Sequence, residues 1–221
     1  NGSSGAIAAF KSDLSAVDTS FGNNNGTGLY TTSVNNPICD IAVDSTDRIY
    51  IAYKLSASVI TVARLLAYGT AVDSTFSATF TTGTAYSATQ IRLALDSTNN
   101  QLIVAAQDGT GVGNIIRVCR FSTTNGSSAG STNAVTLASK IINLSDLFLD
   151  AASNIYVVGY NSTNNNAVVA RIASTSATVI ALDTTYAASG ATPGIANVSI
   201  GAMSVVTAGA YDPDRRTYLV G

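Results

Sequence analysis

The side chains that could do chemistry in this chain recur at fixed places. Asp44, Asp96, Asp150 and Asp212 each follow a short apolar run. Four residues before them stand Asp40, Arg92, Asp146 and Ala208. Two carboxylates flanking one guanidinium would bind a cation or a polar ligand if Asp40, Arg92 and Asp146 converged. The competing reading is a charge cluster that satisfies itself. A second recurrent set joins Arg64 to Asp73 and Arg171 to Asp183. It reads as a structural clamp, and a single exposed pair of this kind contributes only about 0–1 kcal/mol.

Several chemistries are excluded or disfavoured by composition. The chain has no histidine, which removes the commonest general base and the commonest zinc ligand. A serine–histidine triad is therefore impossible. Paired carboxylates for glycoside cleavage remain formally open, but no spacing selects two of them. Asp44, Asp47, Asp212 and Asp214 supply too few converging oxygens for a calcium loop and read as turn caps. The run Gly109-Thr110-Gly111-Val112-Gly113 lies between two strands rather than before a helix, so it is a hairpin loop and not a phosphate cradle. Cys39 and Cys119 are too few for a thiolate metal site and read as small apolar residues, with one disulfide as the alternative. No cofactor and no metal is expected.

The 221 residues carry 11 basic and 13 acidic side chains, a formal charge of −2. Charged residues are 11% of the chain, against about 25% in an ordinary domain. With no basic run, nucleic acid is not the expected partner. No stretch approaches 18 consecutive apolar residues, so no transmembrane segment is expected. Ser, Thr and Asn fill about a third of the chain. Such charge-poor polar surfaces suit a secreted or cell-surface bacterial protein, with any signal peptide absent from this numbering.

The elements that must position these side chains are repeated. Ala8-Ala9-Phe10, Ala63-Arg64-Leu65, Cys119-Arg120-Phe121 and Ala170-Arg171-Ile172 are spaced by 55, 56 and 51 positions. A second mark follows three of them: Val17-Asp18-Thr19-Ser20-Phe21, Val72-Asp73-Ser74-Thr75-Phe76 and Leu182-Asp183-Thr184-Thr185-Tyr186. The third copy has a Gly/Ser/Asn-rich stretch from Asn125 to Asn133 instead. The third mark is the hairpin built around each recurrent Asp, an apolar run, a polar turn and a second apolar run. Tyr50, Tyr156 and Tyr218 recur on the second strand and read as packing residues rather than sugar platforms.

Four strands per unit at this period predict an all-β chain, a β-propeller of about four blades of four antiparallel strands. The chain forms a single domain, 1–221, with units at about 38–90, 91–143, 144–199, and 200–221 joined with 1–37. The last pairing predicts a ring closed by one blade shared between the N- and C-terminal strands.

On these residues the chain resembles the delta-sixty repeat family of bacterial surface and secreted proteins. That repeat carries an Ala-Arg-Leu run, a Leu-Asp-Thr-Ser-Phe-Gly mark and an apolar–Asp–turn–apolar hairpin. Val17-Asp18-Thr19-Ser20-Phe21-Gly22 matches it most closely. Departures are Ala9 in place of Arg, the missing mark in the third copy, and turns at Thr46-Asp47, Asn99-Asn100 and Ser153-Asn154 in place of Asp-Gly. The resemblance implies a β-propeller and little about activity. The functional expectation is a non-enzymatic extracellular or cell-surface interaction module, with another protein of a surface or envelope assembly, such as an adhesin, as partner. A glycan-binding propeller with repeated rim sites is the alternative, and a carboxylate-dependent hydrolase the third.

Overall fold

The computed structural model describes residues 5–24, 26–32, 37–56, 58–81, 90–108, 115–128, 137, 143–161, 164, 166–173, 181–187, 192–199, 205–212 and 216–221. The Gly109–Gly113 run, Asp214 and part of the Asn125–Asn133 stretch lie outside these residues. The fold is all-β, with one 3-10 turn at Ala67–Gly69 and no α-helix among the described residues. No helix there is long and apolar enough to cross a membrane.

Three sheets form the body. The first is a meander of β3 (Ile38–Val43), β4 (Ile49–Ser56), β5 (Val59–Leu65) and β6 (Ala78–Thr81). The second joins β7 (Ile91–Asp96), β8 (Gln101–Asp108) and β9 (Ile115–Ser122). The third is β10 (Asn143–Leu149), β11 (Ile155–Asn161), β12 (Asn166–Ile172) and β13 (Ile195–Val198). Two-stranded sheets flank them: β1 (Ala6–Ala8) with β2 (Leu29–Thr31), and β14 (Ala208–Tyr211) with β15 (Thr217–Val220). Every pairing is antiparallel, and each sheet follows chain order.

The sheets stack face to face in chain order, which explains the sequence of their middle strands. In β8, Leu102, Val104 and Ala106 pack with Tyr50, Ala52 and Phe76 of the first sheet. The alternate residues Ile103 and Ala105 pack with Leu147, Ile155 and Val157 of the third. A strand covered on both faces needs apolar residues at every position, so alternation disappears and a continuous apolar run remains. In β11, Ile155 and Val157 face the second sheet, while Tyr156 and Val158 face Tyr211 and Leu219 of β14–β15. At the other end, Ile51, Ala63 and Leu65 pack with Ile7, Phe21 and Tyr30.

The repeat is visible in a small bridge after the third strand of each unit. Phe10 pairs with Val17, Leu65 with Val72, Phe121 with Ser128 and Ile172 with Leu182. The turn therefore persists at Ser128, where the Asp mark is missing from the sequence. Among the described residues β1 pairs with β2 and β15 with β14, and no ladder joins the two hairpins into the blade expected to be shared between the termini. Each half has buried its apolar face on a different neighbour, β1–β2 on the first sheet and β14–β15 on the third. Among the described residues none of the sheets closes into a barrel or ring.

Gly22, which ends the best-matched mark, sits at φ +104°, and a Cβ there would lie 1.9 Å from the Leu29 carbonyl oxygen. Gly26, at φ +72°, has open space around it. Gly22→Ala should therefore cost several kcal/mol and Gly26→Ala about 1 kcal/mol. Urea denaturation of the two variants checks this; equal losses would show that Gly22 serves only its backbone angle.

Candidate functional site

The candidate cluster is built on the first strand of each sheet. Among the described residues β3, β7 and β10 each have a ladder partner on one side only. Their outer N–H and C=O groups need other partners, because an unmatched buried backbone group costs about as much as a lost hydrogen bond. The three side chains singled out by spacing supply them. Asp40 Oδ2 accepts from Leu93 N at 2.7 Å. Arg92 Nε donates to the Ser145 carbonyl at 2.7 Å. Asp146 Oδ2 accepts from Gly209 N at 2.8 Å.

Each side chain thus grips the backbone of the next first strand, one residue from the position equivalent to its own. The two carboxylates depend on a β-bulge. Pairing shifts between Ile38 and Asp40 in β3, and between Leu144 and Asp146 in β10. The second oxygen of each takes the amide that follows it, Ile41 N at 2.9 Å and Leu147 N at 2.8 Å. β7 has no register shift, and there the position holds Arg92, whose Nη1 also donates to the Ile91 carbonyl at 2.9 Å. Around this row Ser145 Oγ donates to the Val206 carbonyl, and Gln107 Oε1 accepts from Leu144 N at 2.9 Å. These backbone contacts carry no side-chain signature, so spacing alone does not reveal them.

The clamp residues lie at the outer end of each sheet. Arg64 meets Asp73 Oδ2 through Nε at 2.8 Å and Nη2 at 2.6 Å. Arg171 meets Asp183 through Nε at 2.8 Å and Nη2 at 2.5 Å. The other Asp oxygen caps its own turn, taking the amide and hydroxyl of Thr75 or Thr185. Each guanidinium lies over an aromatic ring, Phe76 at 5.1 Å and Tyr186 at 4.9 Å. Arg64 also crosses to the second sheet, where its Nη1 donates to the Thr123 and Thr124 carbonyls at 2.6 and 3.1 Å. Arg120 Nη2 reaches the Ala173 carbonyl of the third sheet at 3.2 Å.

The recurrent hairpin Asp residues organise one rim. Asp44 Oδ1 accepts from Thr46 N and Arg48 N, and Oδ2 from Arg48 Nε and Tyr50 Oη. Asp150 does the same with Ala152 N, Asn154 N, Asn154 Nδ2 and Tyr156 Oη. Asp212 repeats it with Arg216 N, Arg216 Nε and Tyr218 Oη. The residue four places on, Arg48, Asn154 or Arg216, is the partner that the sequence reading missed. A signal was present in the joint recurrence of Asp, Arg/Asn and Tyr at fixed offsets.

Polar grooves run along this rim between sheets. One of about 270 Å³ is lined by Asp44, Thr46, Arg48, Asp96, Asn100 and Thr123. One of about 660 Å³, at the equivalent place beside β14–β15, is lined by Asp150, Asn154, Arg171, Tyr211 and Asp212. The carboxylates in both walls already accept bonds from their own turns. Among the described residues no group of three or more His, Cys, Asp or Glu could hold a metal ion. Cys39 and Cys119 are both reduced, and burial pushes their thiols up to about 11 and about 12.

Asp44 and Asp73 are held well below the usual carboxylate range. Burial works against Asp44, but the Thr46 hydroxyl, the Thr46 and Arg48 amides and the Arg48 guanidinium outweigh it and hold the carboxyl down to about 2. For Asp73 the Thr75 hydroxyl and amide lead, followed by Arg64, again to about 2. A carboxyl depressed below its unfolded value of about 3.9 contributes stability above that pH and loses it as pH falls through the folded value. The protein should therefore hold constant stability from pH 7 to about 5 and lose it between about 4 and 2. Asp73→Asn should be less stable at pH 7 and show a shallower acid loss, measured by thermal melts across this range. An acid profile identical to wild type would remove Asp73 from the account.

No family model, curated protein or solved structure matches this chain.

Proposed function

We propose that the protein is a non-enzymatic interaction module of an extracellular or cell-surface assembly, built from propeller-type blades that present a turn-rich rim to another protein. The observation that carries this reading is the use made of the charged side chains. Asp40, Arg92 and Asp146 are engaged with the backbone of neighbouring sheets. The hairpin Asp residues are engaged with their own turns. A general acid needs a carboxyl raised toward neutral pH. Asp13, Asp18, Asp44, Asp73 and Asp183 all move the other way.

The blade reading is supported by the first strands, which neighbour one another in the order β3, β7, β10, β14. The likeness to the delta-sixty repeat points in the same direction. The rim offers exposed apolar tips for a protein contact, including Leu14, Tyr68 and Leu66 on loops and Val43 at a hairpin. The extracellular placement rests on the charge-poor Ser/Thr/Asn composition.

Cross-linking the chain in its native envelope or secreted fraction, followed by mass spectrometry, tests the reading. One stoichiometric protein partner with cross-links mapping to the rim loops is expected. Recovery of only a spread of unrelated glycoproteins would replace it with glycan binding.

A further inference from the structure

Two tyrosines stand at the junction of β1–β2 with the first sheet where the next junction has alanines. Tyr53 lies opposite Thr61, three residues before Arg64. The same place holds Ala106 in the second sheet, opposite Arg117, and Gly159 in the third, opposite Val168. Tyr30 lies opposite Ile7, three residues before Phe10. Its equivalent in the first sheet is Ala78, opposite Val62. Ala78 and Ala106 are fully buried in one apolar cluster, which closes the junction of the first and second sheets. Tyr30 and Tyr53 share a cluster instead, and a cavity of about 380 Å³ opens beside them.

Both phenols present their hydroxyls without a partner. Tyr30 is 5% exposed and Tyr53 half-buried. Among the described residues neither hydroxyl makes a hydrogen bond. Burial pushes both phenols up, and Tyr53 adds to the shift of Tyr30, which places the two groups near each other. Thr61 Oγ1 is sealed from solvent and likewise has no partner. Residues opposite each other in a ladder project from the same face, so Thr61 and Tyr53 face β1–β2 together. Unmet hydroxyls at buried positions carry a desolvation cost, and native structures keep few of them.

The walls around these groups are fixed. Asn23 holds the Thr31 backbone twice, donating from Nδ2 to its carbonyl and accepting its amide at Oδ1, each at 2.9 Å. Gly22 N donates to the Tyr68 carbonyl at 2.7 Å, which ties the β1–β2 wall to the turn after β5. Asn23, Tyr30, Thr31, Tyr53, Thr70 and Val72 line the cavity, and no charged side chain is among its lining residues. A phosphate or carboxylate would find no cation there, and an amine no carboxylate. Tyr and Thr hydroxyls both donate and accept, which suits a ligand whose groups do the same. The phenol rings and Val72 add an apolar surface. The volume falls in the range of about 300–1,000 Å³ that small molecules occupy. A sugar ring combines these demands, with hydroxyls around an apolar C–H face and no charge.

We propose that this cavity binds one neutral saccharide unit, with the Tyr30 and Tyr53 hydroxyls bonded to hydroxyls of the sugar. The two tyrosines make it a single site rather than one of a repeated set on the rim. Its occupation does not require the rim contact with a protein, so either result can fail while the other stands.

The test is a titration of the isotope-labelled chain with glucose, galactose, mannose and N-acetylglucosamine at millimolar concentration, followed by amide NMR, with glycerol as the blank. At least one of the four sugars should shift the Tyr30, Thr31, Tyr53 and Ala71 amides together, at one site per chain. Tyr30→Phe and Tyr53→Phe keep the rings and should each weaken that binding about fivefold to tenfold, whereas Tyr218→Phe should leave it unchanged. Without sugar, both phenylalanine variants should melt no lower than wild type, because each loses a hydroxyl that has no partner in the protein. A lower melting temperature in both would overturn the proposal by showing that the hydroxyls serve the fold. No shift of these amides by any of the four sugars would overturn it and leave the cavity to water. Equal shifts by glycerol, or binding that survives both phenylalanine variants, would overturn it as well.

Discussion

The structure depends on how the first strand of each sheet satisfies its outer edge. A strand with a ladder on one side presents a row of unpaired donors and acceptors, which is both a cost when buried and an invitation to wrong pairing. Here a charged side chain from the preceding sheet takes one of those groups: Asp40 for Leu93 N, Arg92 for the Ser145 carbonyl, Asp146 for Gly209 N. Charge-assisted bonds are roughly twice as strong as neutral ones, so each contact fixes the position of one sheet relative to the next. The bulges at Cys39 and Ser145 turn the carboxylates toward that edge. Gly209 belongs to the same design, because a Cβ there would come within 2.8 Å of Phe148.

With the edges tied, the faces can stack. β4, β8 and β11 are covered on both sides, and their alternate residues serve two different apolar clusters. The outer ends are tied by a second row, in which Arg64 and Arg120 reach carbonyls of the following sheet. The molecule therefore spends few charges, and spends them at junctions. That is consistent with a rigid presenting scaffold.

Much of this is legible in the sequence, for a physical reason. Hairpins announce themselves because the turn needs an acceptor at its start, which fixes Asp44, Asp150 and Asp212, and because the second strands β4, β8 and β11, covered on both faces, need a near-continuous apolar run. The clamp of Arg64 with Asp73 is legible because both partners are side chains at repeated spacing. The ties made by Asp40, Arg92 and Asp146 are only half legible. Their shared register is visible, but their partners are backbone groups, and a one-residue bulge decides where each side chain points. Convergence on a common ligand and attachment to successive strands give the same spacing. The single blade expected from the two flanking hairpins shows the complementary limit. Spacing identifies the halves as matching, whereas burial of Ile7 and Tyr30 on one sheet, and of Tyr211 and Leu219 on another, decides where each half sits.

Side-chain ties at the first-strand edges hold the sheets as one unit. Native-state hydrogen exchange at the Leu93 and Gly209 amides tests it most directly. These amides should be protected as strongly as ladder amides of β8. Asp40→Ala should release Leu93 and Asp146→Ala should release Gly209, and each should also lower protection across the adjoining sheet. Exchange of both amides in wild type at the rate of open edge groups would contradict the account.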